Sequence, residues 1–142
     1  MRKKSHISLA RYIAQDMQVP VMTHHRKAFY LGSILPDCKP SFLTQRHEFN
    51  GTFDMVKERI CVLSADSGLL LDNGRAFMRR LGEIIHYIAD YFTFPHNQIY
   101  DGNLKDHCVY EKELKFRLRE YVKSGKAFRD RIDAKKFETP EA

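Results

Sequence analysis

An all-α domain is the fold class this sequence predicts, and three observations predict it. Apolar residues recur at three- and four-residue intervals through several long segments. No stretch alternates apolar with polar at period two, and no repeat or low-complexity segment interrupts the helical pattern. At 142 residues and 43% hydrophobic content, the chain is expected to form one compact multi-helix domain around one core.

Each element follows from the residues in order. Ser5 is placed to cap a first helix on which Ile7, Ala10, Ile13, Ala14 and Met17 share a side. Val19-Pro20 ends it. A second helix runs from about His24 to Ser33, with Ala28, Phe29 and Leu31 inward. Gly32 to Asp37 then turns, and Pro36 and Pro40 confine Asp37 to an irregular loop, where function concentrates. Ser41 to Asn50 reads as a loop or short helix carrying His47. Phe53, Val56, Ile60 and Leu63 mark a third helix, and Asp66 to Gly74 a connection.

From Arg75 a long helix directs Phe77, Met78, Leu81, Ile84, Ile85, Ile88 and Ala89 toward the core, and Pro95 closes it with His96 just beyond. The aromatic run Tyr87, Tyr91, Phe92 and Phe94 is read as core packing. Asn97 to Asp106 is turn-rich, and a last long helix starts near Leu104 and reaches Lys123. Ser124-Gly125 divides a helical domain, residues 1–124, from a charged helix or tail, residues 125–142.

Charge and cysteine usage narrow the setting. The net charge of +6 favours anionic partners, and much of the excess sits after Lys112, a pattern expected of a solvated helix face or a contact with an anionic membrane surface. No run of about 18 apolar residues exists, so no transmembrane segment is expected. Met1-Arg2-Lys3-Lys4 is followed by mixed residues and not by the apolar run of a secretory signal. Cys38, Cys61 and Cys108 lack a disulfide framework and are expected as reduced thiols of a cytoplasmic protein, with Cys38 and Cys108 buried.

The chemistry concentrates in two pairs. His86 and Asp90 stand four apart, as do His107 and Glu111, so each pair shares a helix face with Cβ atoms about 5–6 Å apart. Imidazole and carboxylate at that spacing can grip one divalent ion. Spacing alone does not separate such a clamp from an ion pair within a helix. His96 lies between the pairs, and Asp37 and His47 fall in polar or Pro-bounded segments. The set points to zinc, bound as two ions in a cleft between helices and loops, and to hydrolysis of phosphate esters. His24 and His25 have no carboxylate at the fourth residue beyond them and read as surface residues.

In order, His6, Leu31-Gly32-Ser33-Ile34-Leu35-Pro36-Asp37, His47, His86-x-x-x-Asp90, His96 and His107-x-x-x-Glu111 resemble the bacterial zinc-dependent phospholipase C family, which shares its helical fold with S1/P1-type nucleases. The resemblance spans nearly the whole chain. It implies that Asp37, His47, His86 and Asp90 hold one zinc and that His96, His107 and Glu111 hold a second. It also implies a third zinc shared by Asp90, His6 and an amino-terminal tryptophan, but this chain has no tryptophan. Asp37 is implied as the residue that orients or deprotonates the attacking water.

Two classes of function follow. The first is a phospholipase C-like phosphodiesterase that takes a phosphate ester, a phospholipid among them, by way of a metal-activated water. The second is a non-catalytic metal-binding or membrane-surface module, suggested by the missing tryptophan and the basic last helix. A nuclease-like phosphodiesterase is the weaker variant, because base-stacking aromatics outside the core are sparse.

Overall fold

A computed structural model describes residues 1–38, 49–96 and 103–132. Seven α-helices follow one another among these residues: α1 (Lys3–Met17), α2 (Pro20–Gly32), α3 (Phe49–Ala65), α4 (Ser67–Asp72), α5 (Gly74–Tyr91), α6 (Leu104–Lys123) and α7 (Lys126–Ile132). Two 3₁₀ turns, Pro36–Cys38 and Phe94–His96, leave α2 and α5 respectively. The described residues contain no strand, and the chain forms a single all-α domain.

The molecule is organised around α5, whose two sides face separate parts of the core. Met78 joins Ala10 and Ala14 of α1 and Met22, Ala28 and Phe29 of α2 in one apolar cluster. Ile84 and Tyr87 join Val56 and Leu63 of α3 in another. α2 and α5 run in the same direction and touch backbone to backbone. A Cβ on Gly32 would fall on the Arg79 carbonyl oxygen, and one on Gly82 on the Phe29 carbonyl oxygen. These glycines let Ser33 reach the middle of α5, where its carbonyl meets the His86 ring.

Several boundaries differ from expectation. Ser5 is no cap; it is buried inside α1 behind Arg2, which occupies the capping position without a side-chain bond. Pro20 opens α2 and does not merely close α1, because proline at the first helical position loses no hydrogen bond. The connection expected from Asp66 to Gly74 contains α4, capped by Asp66 accepting from the Leu69 N–H at 2.8 Å. α3 starts at Phe49, ahead of the expected Phe53.

The thiols differ too. Cys38 and Cys108 are exposed, so the expectation that these two are buried fails: Cys38 closes an exposed turn, and Cys108 takes the outer side of α6. Of the aromatic run, Tyr87 is core, whereas Phe92 is 86% exposed just past the end of α5; the Phe94 side chain is outside the described set. The segments 39–48 and 97–102 and the tail 133–142 lie outside the described residues.

Candidate metal centre

Asp90 is the hub of the centre. It lies on the last turn of α5, one turn beyond His86, and both side chains are fully buried. Asp90 Oδ1 stands 3.2 Å from His6 Nε2, and Oδ2 stands 3.3 Å from His86 Nε2. The His6 and His86 rings stack with centroids 3.9 Å apart. Helix α1 therefore supplies the imidazole that α5 alone cannot, and His6, which the family pattern has share Asp90 at a third site, lies in one cluster with both His86 and Asp90. Asp37, on the 3₁₀ turn after α2, brings Oδ1 to 3.6 Å from His86 Nε2.

A second cluster adjoins the first. His107 Nε2 lies 3.2 Å from Glu111 Oε1 across one turn of α6, and the 3₁₀ turn brings His96 edge-on to His107 with ring centroids 5.5 Å apart. Asn103 fixes the start of α6 by accepting from the N–H groups of Lys105 and Asp106. The clusters are joined through His96 Nε2, which lies 4.0 Å from Asp90 Oδ1. The Met1 ammonium sits between them, 2.5 Å from Asp90 Oδ1, 3.0 Å from His96 Nε2 and 3.3 Å from Glu111 Oε1. A positive group seated among these acceptors shows which sign of charge the position attracts.

The donor geometry fits zinc on two counts. A tetrahedral ion with bonds of about 2.0–2.1 Å sets its ligand atoms about 3.3 Å apart. The pairs His6 with Asp90, His86 with Asp90 and His107 with Glu111 are at 3.2, 3.3 and 3.2 Å. The hydrogen bonding of His86 adds a second argument. Its Nδ1 lies 2.9 Å from the Ser33 carbonyl oxygen, which can only accept, so Nδ1 carries the proton. In the neutral ring Nε2 then aims a lone pair at the oxygens of Asp90 and Asp37, and only a proton or a cation placed there reconciles the three. A backbone carbonyl holding the far nitrogen of a histidine is the usual device for orienting a metal ligand.

Burial separates the two clusters. His6, His86 and Asp90 are at most 1% exposed, whereas His96, His107 and Glu111 are 15–28% exposed. The second cluster thus opens to solvent while the first is sealed. Burial also lowers the His96 pKa to about 4, with the Met1 ammonium and His107 acting in the same direction and Asp90 and Glu111 opposing them. At neutral pH the ring is therefore neutral, the form that donates a lone pair to a metal.

The description of the family model that matches residues 5–141 is zinc dependent phospholipase C. This chain belongs to that family. No curated protein and no solved structure matches it. The residues expected from the family pattern are placed as follows: His6, Asp37, His86, Asp90, His96, His107 and Glu111 come together, and His47 lies outside the described residues. Sequence reasoning missed three contributors to this candidate centre: the Ser33 carbonyl, the Met1 ammonium, and Arg2, whose Nε lies 3.7 Å from Glu111 Oε2. A carbonyl's role has no signature in residue type. The Gly32-Ser33 pair before the Asp37 turn is the only sequence trace of the contact that aims His86.

Proposed function

We propose that this protein is a zinc-dependent hydrolase of phosphodiesters, acting on a phospholipid to release diacylglycerol and a phosphorylated headgroup. The observation that carries the reading is the pair of adjoining imidazole-carboxylate triads, His6 with His86 and Asp90, and His96 with His107 and Glu111, in a chain of the zinc-dependent phospholipase C family. Each triad would hold one ion; Asp37 would stand beside the first, and His47 is the remaining ligand that the family pattern implies. Bound zinc supplies Lewis-acid charge and lowers the pKa of a coordinated water to about 7.

The chain's own groups do the rest. Asp37 is 12% exposed beside His86, which suits a base that accepts a proton from the attacking water. The open second triad admits substrate. Carboxylates Asp37, Asp90 and Glu111 leave two divalent ions with a net positive surplus, which draws in a phosphodiester. Next to this opening, Lys115 has its pKa lowered by desolvation and by the charges of Arg119, Lys4, Arg2 and Lys112. That basic surface on α1 and α6 supports contact with an anionic membrane. No helix among the described residues is long and apolar enough to cross one. A cytoplasmic setting is part of the same reading.

The test is metal content together with turnover. Protein purified without chelator should carry about two zinc per chain, hydrolyse at least one member of a phosphodiester panel, and lose that activity on His86→Ala or His107→Ala. Zinc-loaded protein that is inert across the panel would overturn the hydrolase and leave a metal-binding module.

A further inference from the structure

The geometry points to a phosphate-binding site apart from the metal centre, in a cavity of about 630 Å³ between the first half of α2 and the start of α5. Lys27 of α2 and Arg75 and Arg79 of α5 line it, with His24, His25 and Asn73 beside them. No carboxylate lines this cavity among the described residues. Its counterpart between α3 and α5, of about 430 Å³, differs in just this respect. There Arg59, Arg79 and Arg80 are offset in part by Glu58 and Glu83, and Arg59 pairs with Glu83 at 3.7 Å. The lining charges sum to +1 in that cavity and to +3 in this one, with Arg79 shared between them.

Local backbone features assemble the basic wall. His25 leaves helical geometry at φ −107°, ψ 20°, kinking α2. The two neighbouring imidazoles meet edge to face with centroids 4.6 Å apart, where successive residues of a regular helix would point about 100° apart. Gly74 makes room for the kink, because a Cβ there would lie 3.0 Å from His25 Cδ2. The Asn73 side-chain oxygen already accepts from the Ala76 N–H at 3.0 Å, so its amide nitrogen is the atom available to donate. Ala28 and Ala76 complete the lining with small apolar side chains.

The ligand chemistry follows from these donors. Two guanidinium forks and an ammonium, with an amide and two imidazoles, match the oxygens of a phosphate monoester or diphosphate group, and the volume holds that group with a substituent attached. Arg79 precedes His86 by seven residues, which is about 10 Å along α5, and none of the described residues of the metal centre lines the cavity. The site stands independently of whether the centre hydrolyses anything.

Inorganic pyrophosphate and dihexanoyl phosphatidate, each titrated into the zinc-loaded full chain, test the proposal, with the imidazole NMR signals of His24 and His25 as the local readout. Both signals should shift with at least one probe, and Arg75→Ala/Arg79→Ala should weaken that binding by roughly a hundredfold, about tenfold for each charge-assisted fork. Tighter pyrophosphate binding assigns the site to soluble phosphates, and tighter phosphatidate binding to a lipid headgroup. The paired control Arg117→Ala/Arg129→Ala removes the same charge elsewhere and should leave the affinity within about twofold. Silent His24 and His25 signals, undiminished affinity in the cavity variant, or an equal loss in the control would overturn the proposal.

Discussion

Replacing Gly82 with alanine tests the way α2 positions the metal centre, because two physical effects predict opposite signs. In a helix interior, Gly→Ala ordinarily stabilises by about 1 kcal/mol through backbone entropy. Here the added Cβ would meet the Phe29 carbonyl oxygen and lie 2.9 Å from the Ser33 nitrogen, and neither backbone atom can rotate aside as a side chain would. Forcing the helices apart costs about 1–3 kcal/mol of overpacking. It also strips the 2.9 Å bond from His86 to Ser33, leaving a buried carbonyl or ring nitrogen unsatisfied at a further cost of about 1–3 kcal/mol.

The sum, less the propensity gain, is a net destabilisation of about 1–5 kcal/mol. Gly51 supplies the control, since a Cβ there meets nothing within 4 Å on a helix of the same core; Gly51→Ala should stabilise by up to about 1 kcal/mol. Urea denaturation of the metal-free proteins, followed by circular dichroism, reads both. Gly82→Ala should lower the midpoint and Gly51→Ala raise it. A raised midpoint for Gly82→Ala would refute the argument that backbone contact between α2 and α5 aims His86.

Other outcomes follow from the same geometry. Asn103→Ala should cost about 1 kcal/mol of stability and weaken one of the two proposed zinc ions more than the other, because the lost cap holds the first turn of α6 where His107 sits; equal weakening of both would count against separate triads. Chelation should lower stability by about 4 kcal/mol per ion when free zinc had stood a thousandfold above its Kd, read as a fall in the thermal midpoint. Metal-free protein should also lose stability as pH falls from 6.5 to about 4. Burial depresses the His96 pKa from 6.5 to about 4, so within that window the unfolded chain binds the proton first, at up to about 3 kcal/mol. His96→Gln should flatten this part of the pH profile, and an unchanged slope would show that His96 is not its source. Asp37→Asn should cut phosphodiester turnover by roughly a hundredfold, as expected for loss of a general base, while zinc content stays near two; retained activity would remove Asp37 from that role.

The sequence by itself determined the helical class, the long amphipathic α5 and the two helix-borne clamps. These are local properties: a 3.6-residue period places Ile84, Ile88 and Met78 toward the core, and four residues place a carboxylate over its imidazole. The ordered set from His6 to Glu111 identified the family for a similar reason, since it lies in the chain's order and needs no coordinates. The tertiary structure alone decided that His6, eighty residues away from His86, stacks on its ring, that Asp90 divides its two oxygens between them, and that one triad is sealed and the other open. It also decided that Cys108 is exposed and that a short helix fills the expected connection before α5. Such facts depend on which faces of distant helices meet, and here that is governed by how closely Gly32 and Gly82 let two backbones approach, a distance that no periodicity encodes.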